Sequence, residues 1–155
     1  MELLQTKKSG DITVSEISEK AKVNRSTFYA NFLDMKDLEN ALKTRLLAEF
    51  REVYKEEVKN RSGSNDFLKL FYHIKENKML YRAYFKLGAG FTPADMSYDK
   101  AQAEKYFGNE NIEYHLEFFY NGLNGIIKMW LENDCRESPE QIEKILKAEY
   151  QGRKV

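Results

Sequence analysis

The stretch VNRSTFYANF, Val23 to Phe32, decides how this chain is read. It sets one apolar pair, Phe28 and Phe32, four residues apart and surrounds it with small polar residues and a single arginine. Side chains at that spacing share a helix face, so the pair predicts a short helix held by a narrow apolar seam. A helix that only packs carries a wider stripe and longer solvating charges. The outward face of this one therefore offers short polar groups to something other than water.

Upstream, Thr13 followed by Glu16 forms a capping-box pattern, and Val14, Ile17 and Ala21 fall on one face, which predicts a helix from Val14 to about Lys22. Asn24 suits the N-cap of a second short helix, so two short helices with a tight turn form a helix-turn-helix. Downstream, Asp34 caps the next helix and Asp37 lies in its first turn, at the positive end of the dipole. Leu38, Leu42, Leu46, Phe50, Tyr54 and Val58 then recur every four residues and predict a helix reaching Lys59.

NRSGSND, Asn60 to Asp66, is the clearest break. It divides the chain into residues 1–60, a helix-turn-helix head with its connecting helix, and residues 61–155, a helical body. Helical spacing continues through Asp66–Lys78 and Met79–Leu87, with Gly88 as a stop signal, and Thr92 before Pro93 marks a loop. Further helices are expected over Tyr98–Phe107, over the strongly apolar Asn111–Asp134, and from the cap Ser138, Pro139 and Gln141 into Ile142, Ile145 and Leu146. The fold class expected is all-α.

Composition narrows the function. The chain of 155 residues, 42% hydrophobic and 32% charged, has only 8 Gly and 2 Pro, which favours packed helices. No apolar run approaches the roughly 20 residues that cross a bilayer, and no signal sequence opens the chain, so a cytoplasmic protein without a membrane partner is expected. The single Cys135 permits no intrachain disulfide, and with His73 and His115 far apart neither metal nor cofactor is expected. Lys and Arg, 25 in number, balance 25 Asp and Glu, so any case for nucleic acid rests on local pattern. No nucleophile, base and orienter stand at recognisable spacing, and no glycine loop suits phosphate; an enzyme is not expected.

Ile12 to Leu42, with its capped helix, turn, STFYANF segment and DMKDL helix start, resembles without gaps the DNA-binding head of the TetR/AcrR family of bacterial transcription regulators. YNGLNGIIKMWLENDCRESPEQI is similar to that family's ligand and dimer region. The resemblance implies that Arg25, Ser26, Thr27, Tyr29 and Asn31 face DNA from a recognition helix in the major groove, with Ser15 adding a phosphate contact. By spacing alone, Ser26 and Thr27 suit a solvated first helical turn equally well. Three departures stand out. Lys22 replaces the usual turn glycine and is expected to take a left-handed conformation, at a cost of about 1 kcal/mol. Met35 stands where a phosphate-binding lysine is usual, with Lys36 next to it as the substitute. Only MELLQ precedes the TKKSGD turn, so the first helix is expected to be shortened, with Leu3 and Leu4 as its last inward residues.

Only Phe28, Tyr29, Phe32, Phe50 and Tyr54 among the aromatic residues precede the break. The rest enrich the body, and Phe71, Tyr72, Tyr84, Phe85, Tyr114 and Phe118 are candidates to line an effector pocket, or else ordinary core. Gly122 and Gly125 each cost about 1 kcal/mol within an apolar helix. Close approach of another helix, or a kink, would account for them. The resemblance implies a homodimer through the last two helices, so Gly122, Gly125, Trp130, Ile142 and Ile145 are the expected interface. The reading is a ligand-responsive repressor that binds a pseudo-palindromic double-stranded DNA operator as a homodimer. The alternative is a co-regulator or interaction protein of the same fold that does not bind DNA by itself.

Overall fold

The computed structural model describes residues 1–55, 67–92 and 111–151. Among these the regular structure is helical, without strands, as expected. The helices are α1 (Leu3–Thr6), α2 (Val14–Ala21), α3 (Arg25–Asn31), α4 (Met35–Val53), α5 (Phe67–Glu76), α6 (Lys78–Lys86), α7 (Ile112–Glu132) and α8 (Pro139–Gln151), with a 3-10 turn at Ser9–Asp11. The NRSGSND break, the boundary expected at 60 and 61, the end of α4 toward Lys59 and the helix expected over Tyr98–Phe107 lie outside the described residues.

The chain forms two compact units, Met1–Ala48 with Met79–Ala89, and Glu49–Lys78 with Gly90–Val155. In the first, Leu4, Ile12 and Ala83 are buried, and Leu3, Ile17, Met35, Leu42 and Leu87 pack against them. Leu3 and Leu4 thus take the inward role expected of them. Lys86 Nζ donates to the Leu4 and Gln5 carbonyls at 2.6 and 3.1 Å, placing a cation where α1 ends in unsatisfied acceptors.

In the second unit α8 packs on α5 and α7. Phe71, Leu123, Ile127, Trp130 and Ile142 are buried there, and the Phe71 and Trp130 rings meet edge to face at 5.8 Å. Trp130 Nε1 donates to the Glu137 carbonyl at 3.1 Å, so the indole is satisfied inside the fold. Ser138 and Gln141 cap α8 reciprocally, as expected: the Ser138 N–H reaches Gln141 Oε1 at 2.7 Å, and the Gln141 N–H reaches Ser138 Oγ at 3.3 Å. Asn124 clamps Phe91, accepting its N–H at 2.8 Å and donating to its carbonyl at 2.9 Å. Gly90 leaves room for that clamp, since a Cβ there would stand 3.1 Å from Asn124 Nδ2.

Candidate nucleic-acid interface

The two short helices are built by local chemistry. Thr13 Oγ1 accepts the Glu16 N–H at 3.3 Å and Glu16 Oε2 accepts the Thr13 N–H at 2.9 Å, closing the capping box expected at the start of α2. Lys7 also pairs with Glu16, and its ammonium, followed by the Thr13 donors, holds the Glu16 carboxyl down at about 2. Lys22 ends α2 at φ 55° and ψ 39°, the left-handed conformation expected where glycine is usual. Its N–H reaches the Glu19 carbonyl at 3.1 Å and the Val23 N–H reaches the Ser18 carbonyl at 2.9 Å, the paired bonds of a Schellman turn.

Asn24 caps α3, and its Oδ1 takes three donors: the Thr27 N–H at 3.0 Å and the Ser26 and Thr27 hydroxyls at 2.7 Å each. That one oxygen organises the first turn, and the sequence signals it through the preference of Asn for N-caps. Arg25 Nη2 donates to Ser15 Oγ at 2.7 Å, tying α3 to α2. Asn31 Nδ2 donates to the Thr27 carbonyl at 2.8 Å. Phe28 is buried and Phe32 half-buried, their rings 5.6 Å apart, which places the apolar seam inward. Helix α3 stops at Asn31, with Phe32 as its extended C-cap.

On the other face Ser15, Arg25, Ser26, Thr27 and Asn31 are exposed, and Tyr29 is 59% exposed. The structure therefore brings these residues together on one polar surface of α2 and α3. Lys36 is also exposed, and its ammonium lies 3.5 Å from Glu39. Met35 packs against the core of the first unit instead of facing out. Ser18 carries no signal in the sequence: its hydroxyl is buried in α2 and has no hydrogen-bond partner among the described residues.

The body candidates separate. Phe71 and Tyr84 are buried, Phe85 is half-buried, and the Tyr72 hydroxyl donates to the Glu140 carboxylate. Tyr114 and Phe118, expected to line a pocket, are 77% and 62% exposed on α7, because their face of the helix is opposite the one that carries Leu123 and Ile127. Trp130 and Ile142, expected at a dimer surface, point into the core of their own unit. Among the described residues a Cβ at Gly122 or Gly125 would meet nothing within 4 Å, so neither serves a close approach to another described residue of the chain. Ile145 is 48% exposed. Among the described residues no three His, Cys, Asp or Glu side chains gather as a metal site, and no helix is long and apolar enough to cross a membrane.

Residues 94–149 match the family model of a transcriptional regulator C-terminal region, of the TetR type. The resemblance read mainly from the helix-turn-helix is thereby supported from the other end of the chain, which is similar to the C-terminal region of TetR-family transcriptional regulators. No curated protein and no solved structure matches the chain. A match to such a region points to regulation of transcription.

Proposed function

We propose that the protein is a cytoplasmic DNA-binding transcriptional regulator, a ligand-responsive repressor that holds a pseudo-palindromic operator as a homodimer. The observation that carries this reading is the exposed polar surface of Ser15, Arg25, Ser26, Thr27, Tyr29 and Asn31 on two capped helices, in a chain with a TetR-type C-terminal region. Arg25 presents five donors, of which Ser15 engages one nitrogen, so its guanidinium retains donors for phosphate or a guanine edge. The Tyr29 hydroxyl and Lys36 suit phosphate contacts that set register.

The dimer face proposed is the outward stripe of α7, where Tyr114, Phe118, Gly122, Gly125 and Met129 recur at helical spacing, joined by Ile145 of α8. Two glycines between exposed aromatic and methionine side chains let another helix approach closely, which would offset their helix-propensity cost. Two such heads would enter successive major grooves about 34–36 Å apart. An effector held by the body would shift the population toward a dimer with a different head spacing. Phe71 and Tyr72 of the second unit remain the side chains proposed to answer to it.

A mobility-shift titration on duplex DNA from upstream of its own gene tests the reading. Binding should weaken linearly in log–log with salt, and Arg25→Ala should weaken it further while leaving the helical circular dichroism unchanged. Absence of salt-dependent binding by a folded dimer would leave the co-regulator that does not bind DNA by itself.

A further inference from the structure

Internal hydrogen bonds along the polar face of α3 fix which atoms are left to meet a partner. Asn24 Oδ1 accepts the Thr27 N–H at 3.0 Å, so that atom is the amide oxygen and can only accept. The Ser26 and Thr27 hydroxyls, each 2.7 Å from it, are therefore the donors. A hydroxyl has one proton, and with that proton committed to Asn24 both side chains turn only lone pairs outward. Asn31 lies four residues beyond Thr27, on the same helix face. It gives one amide hydrogen to the Thr27 carbonyl at 2.8 Å and keeps Oδ1 and a second hydrogen. Ser15 is the contrast: its Oγ accepts from Arg25 at 2.7 Å and, among the described residues, keeps its own proton to give. All four side chains are exposed.

We infer that the Ser26 and Thr27 hydroxyls read an exocyclic amino group in the major groove, N6 of adenine or N4 of cytosine. Asn24 is the positioning residue that sets their polarity, and the assignment rests on the reading that α3 binds DNA. Base edges in the major groove offer both signs: the amino groups donate, while guanine O6 and thymine O4 accept. Phosphate oxygens only accept. A hydroxyl whose proton is held by Asn24 sets lone pair against lone pair at a phosphate or a keto oxygen, and finds a partner only at an amino group. Donating to DNA instead would cost it the bond to Asn24. Asn31 retains the oxygen and the hydrogen that pair with adenine N6 and N7, so it favours the same class of base. Ser15, with a proton to give, suits phosphate.

The test selects bound duplexes with the full chain from a pool randomised over about two helical turns. The selection is repeated with Ser26→Ala/Thr27→Val, which removes both hydroxyls and leaves the Thr27 N–H on Asn24. The base pair whose preference relaxes in this variant is the one the hydroxyls read. That pair is then resynthesised with its amino group altered, by 2-aminopurine for adenine or N4-methylcytosine for cytosine, or with its keto group altered, by 4-thiothymine or 6-thioguanine. Altering the amino group should weaken wild-type binding about tenfold, as one wrong base pair does, and leave the double variant unaffected. Asn24→Gly keeps a tolerated cap residue and returns both protons, so binding should become sensitive to the keto group as well. Wild-type sensitivity to the keto group alone that the double variant loses would overturn the inference. A double variant that matches wild type, or one that binds more weakly with its base preference intact, overturns it too, the latter by placing the hydroxyls on phosphate. Asn24→Gly that weakens binding without changing which group matters makes Asn24 a cap only, and overturns its positioning role. A folded chain that enriches no duplex overturns the DNA-binding reading itself. If circular dichroism shows that Asn24→Gly does not fold, the comparison of wild type with the double variant decides.

Discussion

Ser18→Ala should make the first unit more stable. Ser18 is 3% exposed on α2, and its hydroxyl has no hydrogen-bond partner among the described residues. A buried polar group left unpaired costs about 1–3 kcal/mol. Alanine removes that cost and is the better helix former by a few tenths of a kcal/mol. Against this stands the void left by one oxygen, smaller than a methyl group and so worth less than about 1 kcal/mol. The balance favours alanine by about 1 kcal/mol. The backbone bond from the Val23 N–H to the Ser18 carbonyl, at 2.9 Å, survives the substitution and supplies the assay. Native-state hydrogen exchange at Val23 should slow by about fivefold, the factor that 1 kcal/mol corresponds to. Ser15→Ala is the control: its exposed hydroxyl accepts from Arg25, and its loss should leave exchange at Val23 nearly unchanged. Exchange at Val23 that is unchanged or faster in Ser18→Ala would refute the reasoning, because the hydroxyl would then be contributing a favourable contact.

Three further outcomes are expected. Lys22→Gly should stabilise the first unit by up to about 1 kcal/mol in urea unfolding, because the left-handed turn at φ 55° strains a side chain that glycine lacks. Asn124→Ala should destabilise the second unit by about 1–3 kcal/mol, since it leaves the Phe91 N–H and carbonyl without the amide that clamps them; thermal unfolding followed at the aromatic residues reads it. For Glu16, a folded-state value of about 2 lies below the ordinary 4.5, so its contribution is complete above pH 4.5 and is lost as pH falls from 4.5 toward 2. Glu16→Gln should flatten that acid limb in a pH series of urea midpoints, and an unchanged limb would count against the Lys7 and Thr13 contacts as its source.

Much of the local architecture is legible in the sequence because it is made by near neighbours. The Thr13 and Glu16 box, the Asn24 and Asp34 caps, the Ser138 and Gln141 box and the left-handed Lys22 each depend on residues within a few positions of one another. The candidate interface was legible for the same reason. A seam as narrow as Phe28 and Phe32 leaves only one way to turn the helix, so Arg25, Ser26, Thr27, Tyr29 and Asn31 had to face outward.

Helix α7 is the opposite case. It is apolar on more than one side, so periodicity predicts the helix without saying which side is core. Tertiary packing against α8 turned Leu123, Ile127 and Trp130 inward and left Tyr114, Phe118 and Met129 outside, reversing the roles expected of Tyr114, Phe118 and Trp130. Contacts made across long sequence separations, such as Lys86 on the α1 carbonyls and Asn124 on Phe91, carry no local signature. The sequence by itself determined where helices start, stop and cap, because those energies are local. Only the tertiary structure decided which apolar faces are core and which remain to meet a partner or a ligand, because burial is a property of what else arrives there.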